Sequence, residues 1–253
     1  MFSKIIFNFA IFSVLLLNST LVGSNISDQN RKAYEYLDNL AIAAGTDKSS
    51  TFHNYTKVYA KYFDSLRNDK IKFLEIGINK GFSAKLWESY FTDGDLHFVD
   101  IDKINIQYYS PRAHYHFVDQ TNFTDLTKLV KSLGGNFDII IDDGGHTMHQ
   151  QIMSFQTLFP YVKNGGIYVI EDLHTSYWQE YGGGGQIGAP ARGKGTCIEF
   201  LKERIDDLNY TAGVTACADF DKVPYDKKKK LNYYHRNIDS IHFYQSLCII
   251  IKK

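Results

Sequence analysis

Two apolar runs in the middle of the sequence, Phe137–Ile141 and Ile167–Ile170, each lead straight into a pair of acidic residues. Asp142 and Asp143 follow the first run, Glu171 and Asp172 the second. Carboxylates that converge in this way are hard oxygen donors suited to Mg²⁺ or a similar cation. The segment between the runs has the length of a helix and closes on Asn164-Gly165-Gly166, so the unit reads strand, helix, strand. A βαβ crossover sets its strands parallel, which sends both acidic pairs out of one sheet edge. Open α/β sheets bind their ligands at that edge. Asp143, Glu171 and Asp172 are therefore the expected metal ligands. His146, three residues past Asp143, stands where a base beside the ion would be. One acidic pair alone would read more simply as a helix cap or a solvated loop. Two pairs on consecutive strands, with a histidine next to one, read as a site.

The elements upstream complete the same edge. Ile71–Ile76 is a strand that runs into Gly77, Asn79, Gly81 and Ser83, and then into a helical segment, Ala84–Tyr90. Strand, glycine turn and helix together mark a nucleotide-type site. The spacing here is E-x-G-x-x-x-G from Glu75 to Gly81, which is not the dinucleotide fingerprint. Asn79 takes a place where such loops often carry glycine, and asparagine tolerates left-handed backbone. Glu75 at the turn would repel a pyrophosphate but suits a cationic ligand such as a sulfonium-bearing amino acid, which argues against NAD. The next strand, Leu96–Val99, ends in Asp100, placed about 20 residues past the glycines where ribose hydroxyls bind. A third strand, Tyr115–Val118, ends in Asp119-Gln120. These two either flank an adenine or cap the helix that starts near Thr121.

Outside this frame, residues 25–44 read as a linker and a helix with an apolar stripe at Ala33, Tyr36, Leu37, Leu40 and Ile42. A second stripe at Tyr55, Val58, Tyr59, Tyr62, Phe63 and Leu66 reads as core packing. The segment from Gly182 to Gly195 is too rich in glycine for regular structure and is either a substrate lid or a disordered stretch. Residues 196–208 are expected to be helical and residues 209–237 irregular and charged. Ser240–Tyr244 and Leu247–Ile251 close the chain as strands. His149, one turn past His146, reads as a helix-surface residue.

Composition bounds the rest. The 253 residues suffice for one α/β domain with a buried core. Lys plus Arg and Asp plus Glu number 28 each, so the balanced charge gives no electrostatic footprint for nucleic acid or an anionic membrane. Lys227–Lys230 reads as a solvated basic run. Lys4, the apolar run from Ile5 to Leu17 and the small residues up to Ser24 resemble a secretory signal cleaved after Ser24. The run is short for a membrane span, so no stable insertion is expected beyond it; an uncleaved anchor is the alternative. The expected organisation is a signal over residues 1–24 and one domain over 25–253, secreted or in the secretory lumen. Sequons at Asn25, Asn54, Asn122 and Asn209 fit that compartment. Of three cysteines, Cys197 and Cys217 are the expected disulfide, with Cys248 in the core.

The runs LEIGINKGFSAKLW, FVDID, FVDQ, DIIIDDGGH, LFPYVKNGGIYVIED and TSYW together resemble class I S-adenosylmethionine-dependent methyltransferases. Within that class the chain resembles the metal-dependent macrolide sugar O-methyltransferases of the mycinamicin type, from about Gly45 to Lys252 and least over residues 182–237. The resemblance implies a Rossmann-like α/β fold, mostly a parallel sheet with an antiparallel last strand and helices on both faces. It implies Mg²⁺ on Asp143, Glu171 and Asp172, and His146 as the catalytic base. S-adenosylmethionine would contact Glu75, Gly77, Gly81, Asp100, Asp119 and Gln120, with Asp142 nearby. The expected acceptor is a hydroxyl on a sugar or glycosylated small molecule. Two other readings use the same residues: a catechol-type metal-dependent O-methyltransferase, and a secreted protein of this fold without activity. The oligomeric state is left open.

Overall fold

The structure is a computed structural model that describes residues 28–184, 195–216 and 220–253. The signal-like segment, the Asn25 sequon, most of the glycine-rich segment and Cys217 lie outside these residues. The chain divides after Arg67 into two compact units.

In the first unit, residues 28–44 form helix α1 and Thr56–Phe63 form α2. Asp38 of α1 accepts from the Ser50 amide at 2.7 Å and from the Thr56 hydroxyl at 2.7 Å, which fixes the connection between the helices. Tyr59 stacks on Phe63, as the core reading of that stripe requires. The α1 stripe is shifted from expectation. Ala33, Leu37, Ala41 and Ala44 form the buried face, while Tyr36 and Ile42 are exposed. Alanine positions at i+4 spacing continue the face, and the bulkier residues fall one position off it.

The second unit is built on a seven-stranded sheet. Its strands are β1 (Lys72–Ile76), β2 (Asp95–Asp100), β3 (His114–Phe117), β4 (Phe137–Asp142), β5 (Val162–Ile170), β6 (Ile238–Tyr244) and β7 (Leu247–Lys252). They lie in the order β3-β2-β1-β4-β5-β7-β6. The first five are mutually parallel, and β7 runs antiparallel to both β5 and β6. Strand alternation feeds two apolar layers. Leu74, Ile76, Ile140, Tyr168 and Ile170 pack with Leu126 and Val130 of α4 (Phe123–Ser132), Phe155 of α5 (Met148–Leu158) and Leu201 of α6 (Cys197–Thr215). On the opposite face, Phe73 and Phe98 meet Trp87 and Phe91 around α3 (Phe82–Tyr90). The expected α/β architecture, with a mostly parallel sheet and a final antiparallel strand, is the one observed.

The carboxyl-terminal third is more regular than its composition suggests. α6 extends to Thr215 rather than ending near 208, and two short helices follow, α7 (Tyr225–Lys228) and α8 (Tyr233–Asn237). Polar residues that usually favour loops are accommodated locally. Asn209 donates to the Ile205 carbonyl, Thr215 to the Thr211 carbonyl, and Asn232 caps α8. Cys197 is a free thiol buried at the start of α6, and burial raises its pKa well above the ordinary thiol value; Cys248 is likewise buried and free. Among the described residues no helix is long and apolar enough to cross a membrane.

Candidate active site

Strand register brings the acidic residues together. Asp142, the last residue of β4, pairs with Ile76 of β1 and with Ile170 of β5. The next residue of each strand is therefore level at the sheet edge: Gly77, Asp143 and Glu171. The Asp143 amide continues the ladder onto the Ile76 carbonyl at 2.9 Å, and the Glu171 amide onto that of Asp142 at 3.0 Å. The sheet order also reverses here, between β1 and β4, which is where such sheets form a ligand crevice.

Two overlapping donor groups result. Carboxylate oxygens of Glu75, Asp143 and Glu171 lie within 4.8 Å of one another, and so do ligand atoms of Asp143, His146 and Asp172. Asp143 belongs to both groups. Nε2 of His146 is 3.4 Å from Oδ2 of Asp172 and 3.8 Å from Oδ1 of Asp143. Glu75 and Glu171 are buried, and Asp143, His146 and Asp172 are half-buried. Four carboxylates share this end of the sheet, two of them buried. An all-oxygen donor set of this charge fits a hard divalent cation. The expected ligands Asp143, Glu171 and Asp172 are thus gathered with the expected base. Glu75, read from sequence as a cofactor contact, stands among them.

Backbone conformation aims these side chains. His146 and Asp172 both hold left-handed backbone, with φ of 57° and 55°. Neither is glycine, so each conformation carries a local cost that the surroundings must hold in place. The surroundings do so through Thr175, whose buried hydroxyl lies 2.9 Å from the carbonyl oxygens of both His146 and Asp172. On the other side, Thr147 and Gln150 form a capping box that starts α5 directly after His146. Gln151 Nε2 donates to the Glu171 carbonyl at 2.9 Å. Thr175 and Gln151 have no sequence signature of their own; only the TSYW run that carried the resemblance includes one of them.

The cofactor-side residues have equally specific environments. Gly77 and Gly81 have φ of 93° and 84°, and Asn79 takes left-handed backbone at 46°, as its residue type permitted. A Cβ on Gly77 would lie 1.9 Å from the Asp143 carbonyl oxygen, so the glycine lets the turn and the metal-side loop touch. Asp100 accepts from the Ile78 and Asn79 amides at 2.8 and 3.2 Å, which clamps the turn to the end of β2. Asp119 is exposed and accepts from the Thr121 amide and hydroxyl at 2.8 Å each, a local turn just before Asn122 caps α4. Gln120 is buried and bridges three groups. It donates to Ser154 Oγ at 2.9 Å and to Asp142 at 3.3 Å, and accepts from the Gly145 amide at 2.8 Å. Asp142 is fully buried, and burial pushes its carboxyl up to about 7 against the hydrogen bond from the Gly144 amide. His149 is exposed, as expected. His174 Nδ1 lies 2.5 Å from Ser246 Oγ and 3.9 Å from Asp172 Oδ1. A cleft of about 490 Å³ opens beside the start of α5, lined by Thr147, Met148, His149, Ile152, Glu180 and Tyr181 with Gly182 and Gly195.

Sheet order, glycine turn and acidic strand ends together define a methyltransferase domain of the class I fold. Residues 74–173 match the family model described as a methyltransferase domain. Among curated proteins, the chain is similar to L-olivosyl-oleandolide 3-O-methyltransferase of Streptomyces antibioticus, 33% identical over 217 residues, which cover 83% of this chain and 52% of that protein. It is also similar to 8-demethyl-8-(2-methoxy-alpha-L-rhamnosyl)-tetracenomycin-C 3'-O-methyltransferase of Streptomyces olivaceus, 38% identical over 191 residues, 69% of this chain and 45% of that one. Among solved structures it resembles the MycE methyltransferase of mycinamycin biosynthesis in complex with Mg, SAH and mycinamycin VI. That likeness has a TM-score of 0.69 and 31% identity, over 85% of this chain and 54% of that chain. The chain spans about half the length of the curated relatives it matches.

Proposed function

We propose that the chain transfers a methyl group from S-adenosylmethionine to a hydroxyl of a sugar or glycosylated small molecule, with Mg²⁺ bound and His146 as general base. The observation that carries this reading is the position of His146 Nε2, 3.4 Å from Asp172 and 3.8 Å from Asp143, at the mouth of a carboxylate cluster. The relatives named above are O-methyltransferases of glycosylated acceptors, and MycE was solved with Mg and SAH, which supports the same assignment.

In this reading Asp143, Glu171 and Asp172 hold the cation. Glu75, Gly77, Gly81, Asp100, Asp119 and Gln120, with Asp142 nearby, surround the cofactor. A bound cation would make the acceptor hydroxyl more acidic, and the cofactor would supply the methyl group and leave as S-adenosylhomocysteine. His146 Nε2 takes the hydroxyl proton. Thr175 holds the backbone from which both His146 and Asp172 project, so the base and its neighbour keep one relative geometry. The cleft beside α5 receives the acceptor: Met148, Ile152 and Tyr181 offer apolar surface, and Thr147, His149 and Glu180 offer hydrogen bonds to hydroxyls. Alignment of acceptor and donor provides much of the rate in such two-substrate transfers.

The test is a screen of purified protein with cofactor and Mg²⁺ against simple glycosides, macrolide glycosides and catechols, read by mass spectrometry. Methylated glycosides support the reading. Methylated catechols with untouched glycosides would assign the phenolic alternative, and no product with any acceptor, together with no cofactor binding, would assign a silent protein of this fold. The secretory location is a separate proposal, supported by the Ile5–Leu17 apolar run; recovery of the chain only in cytosol after expression in its own cells would overturn it.

A further inference from the structure

Three rings form a row between the carboxylates and the cleft. His174 Nδ1 lies 3.9 Å from Asp172 Oδ1, at one end. The His174 ring meets Trp178 edge to face with centroids 4.6 Å apart, and Trp178 meets Tyr181 at 5.8 Å. Tyr181, at the other end, lines the cleft beside α5 together with Thr147 and Glu180. The spacing comes from two 3₁₀ turns, Leu173–Tyr177 and Gln179–Tyr181, with Trp178 extended between them. The Trp178 amide donates to the Thr175 carbonyl at 3.0 Å, and the Trp178 carbonyl accepts from the Gly183 amide at 2.9 Å. A Cβ on Gly183 would lie 2.6 Å from the carbonyl oxygens of Thr175 and Ser176, so glycine is what lets the chain fold back at that point. Thr175 also bonds the carbonyls of His146 and Asp172, so the segment that fixes Trp178 is the one that supports the base. Trp178 and Tyr181 are half-buried, and among the described residues neither belongs to the apolar core closed by α5 and α6.

We propose that Trp178, with Tyr181 beside it, is the platform on which the acceptor's sugar ring stacks. This rests on the methyl-transfer reading above and names the part of the site that selects a sugar. An acceptor that offers its hydroxyl to His146 and keeps its body in the cleft has to lie along this row, because the row joins the two places. The face of an aromatic ring is electron-rich. The C–H bonds on the face of a pyranose are made slightly positive by the attached oxygens, so the two faces attract as well as exclude water. The ring-edge hydroxyls of the sugar then meet Thr147 and Glu180, the usual combination of aromatic surface with a few placed polar groups. A catechol has a flat face too, but no further hydroxyls for Thr147 and Glu180 to hold.

The chain has two tryptophans, and the other, Trp87, is fully buried in the opposite layer, so a ligand-induced change in indole emission reports on Trp178. The full chain is titrated with methyl α-L-rhamnopyranoside, whose methyl group enlarges the apolar face, in the presence of Mg²⁺ and S-adenosylhomocysteine, which has no methyl group to transfer. A saturable change in emission is expected, and catechol should not displace the glycoside. In turnover, Trp178→Ala should raise KM for the glycoside by about tenfold with little change in kcat, and Trp178→Phe, which keeps a smaller stacking face, should raise it less. Unchanged calorimetric affinity for S-adenosylhomocysteine shows that a variant is folded; should Trp178→Ala not fold, the emission titration of the unaltered chain still decides. No saturable change in emission would overturn the proposal, as would displacement by catechol. Methyl transfer with an unchanged KM in folded Trp178→Ala would remove the platform and leave the transfer reading standing. Glycoside binding seen in the emission without any methyl transfer would support the platform and remove the transfer reading.

Discussion

Nε2 of His146 lies 3.4 Å from Oδ2 of Asp172, and each residue projects from left-handed backbone. The Thr175 hydroxyl touches both of their carbonyl oxygens. The pair is therefore held from behind by one buried side chain.

Thr175→Val keeps the shape of the side chain and removes that donor. Losing a buried hydrogen bond in this setting should cost about 1–3 kcal/mol in denaturant unfolding. Turnover should fall further than the stability loss explains, with little change in affinity for cofactor. Wild-type turnover in a folded Thr175→Val protein would show that the bridge does not position the base.

The left-handed backbone of His146 separates its structural role from its chemical one. Replacement by glycine relieves the conformation and replacement by alanine does not, so His146→Gly should be more stable than His146→Ala by about 1 kcal/mol. Both should lose methyl transfer by about a hundredfold or more, the range for removing a general base. Equal stability would argue against the conformation; retained activity in either variant would remove His146 from the mechanism.

Gly77→Ala places a methyl group where the Asp143 carbonyl now lies, and does so at a φ of 93°. The loop bearing Asp143 has to move. A stability loss of roughly 2 kcal/mol or more is expected, with weakened Mg²⁺ binding measured by calorimetry. Normal Mg²⁺ affinity in this variant would mean that the turn and the metal-side loop are not coupled.

Asp142 makes stability depend on pH. Its folded-state carboxyl is pushed up to about 7 from an ordinary value of 3.8, chiefly by burial, with the neighbouring Asp143 charge adding to it. The folded protein then holds a proton that the unfolded chain has released, so stability without Mg²⁺ should fall as pH rises from about 4 to about 7 and level off above. Asp142→Asn keeps an acceptor for Gln120 and abolishes that fall. The difference between the two unfolding curves should grow with pH by a few kcal/mol at most, on the scale of about 1.4 kcal/mol per pKa unit. Parallel curves in urea unfolding at the two ends of this range would rule the effect out.

How much of this was legible in the sequence follows from the range of the interactions. The acidic strand ends, the glycine turn and Asn79 were legible because each depends on a few consecutive residues. Convergence of Asp143 with Glu171 followed from a parallel crossover, a rule that needs no coordinates. Thr175 and Gln151 were not legible, since their roles come from backbone atoms 29 and 20 residues away in sequence. Glu75 was read as a cofactor residue because it adjoins the turn; its place in the carboxylate group comes from the register of β1 against β4. The shifted face of α1 and the extra turns of α6 show the opposite limit, where local composition pointed away from the packing that was realised.

The most direct measurement of the central claim is methyl transfer to a glycoside acceptor by purified protein with S-adenosylmethionine, with Mg²⁺ and then with a chelator, for wild type, His146→Ala and Asp143→Ala. The account predicts a singly methylated product from wild type with Mg²⁺, its loss with the chelator, and a drop of about a hundredfold or more in each variant. Product formation that is indifferent to the chelator, or undiminished in both variants, would contradict it.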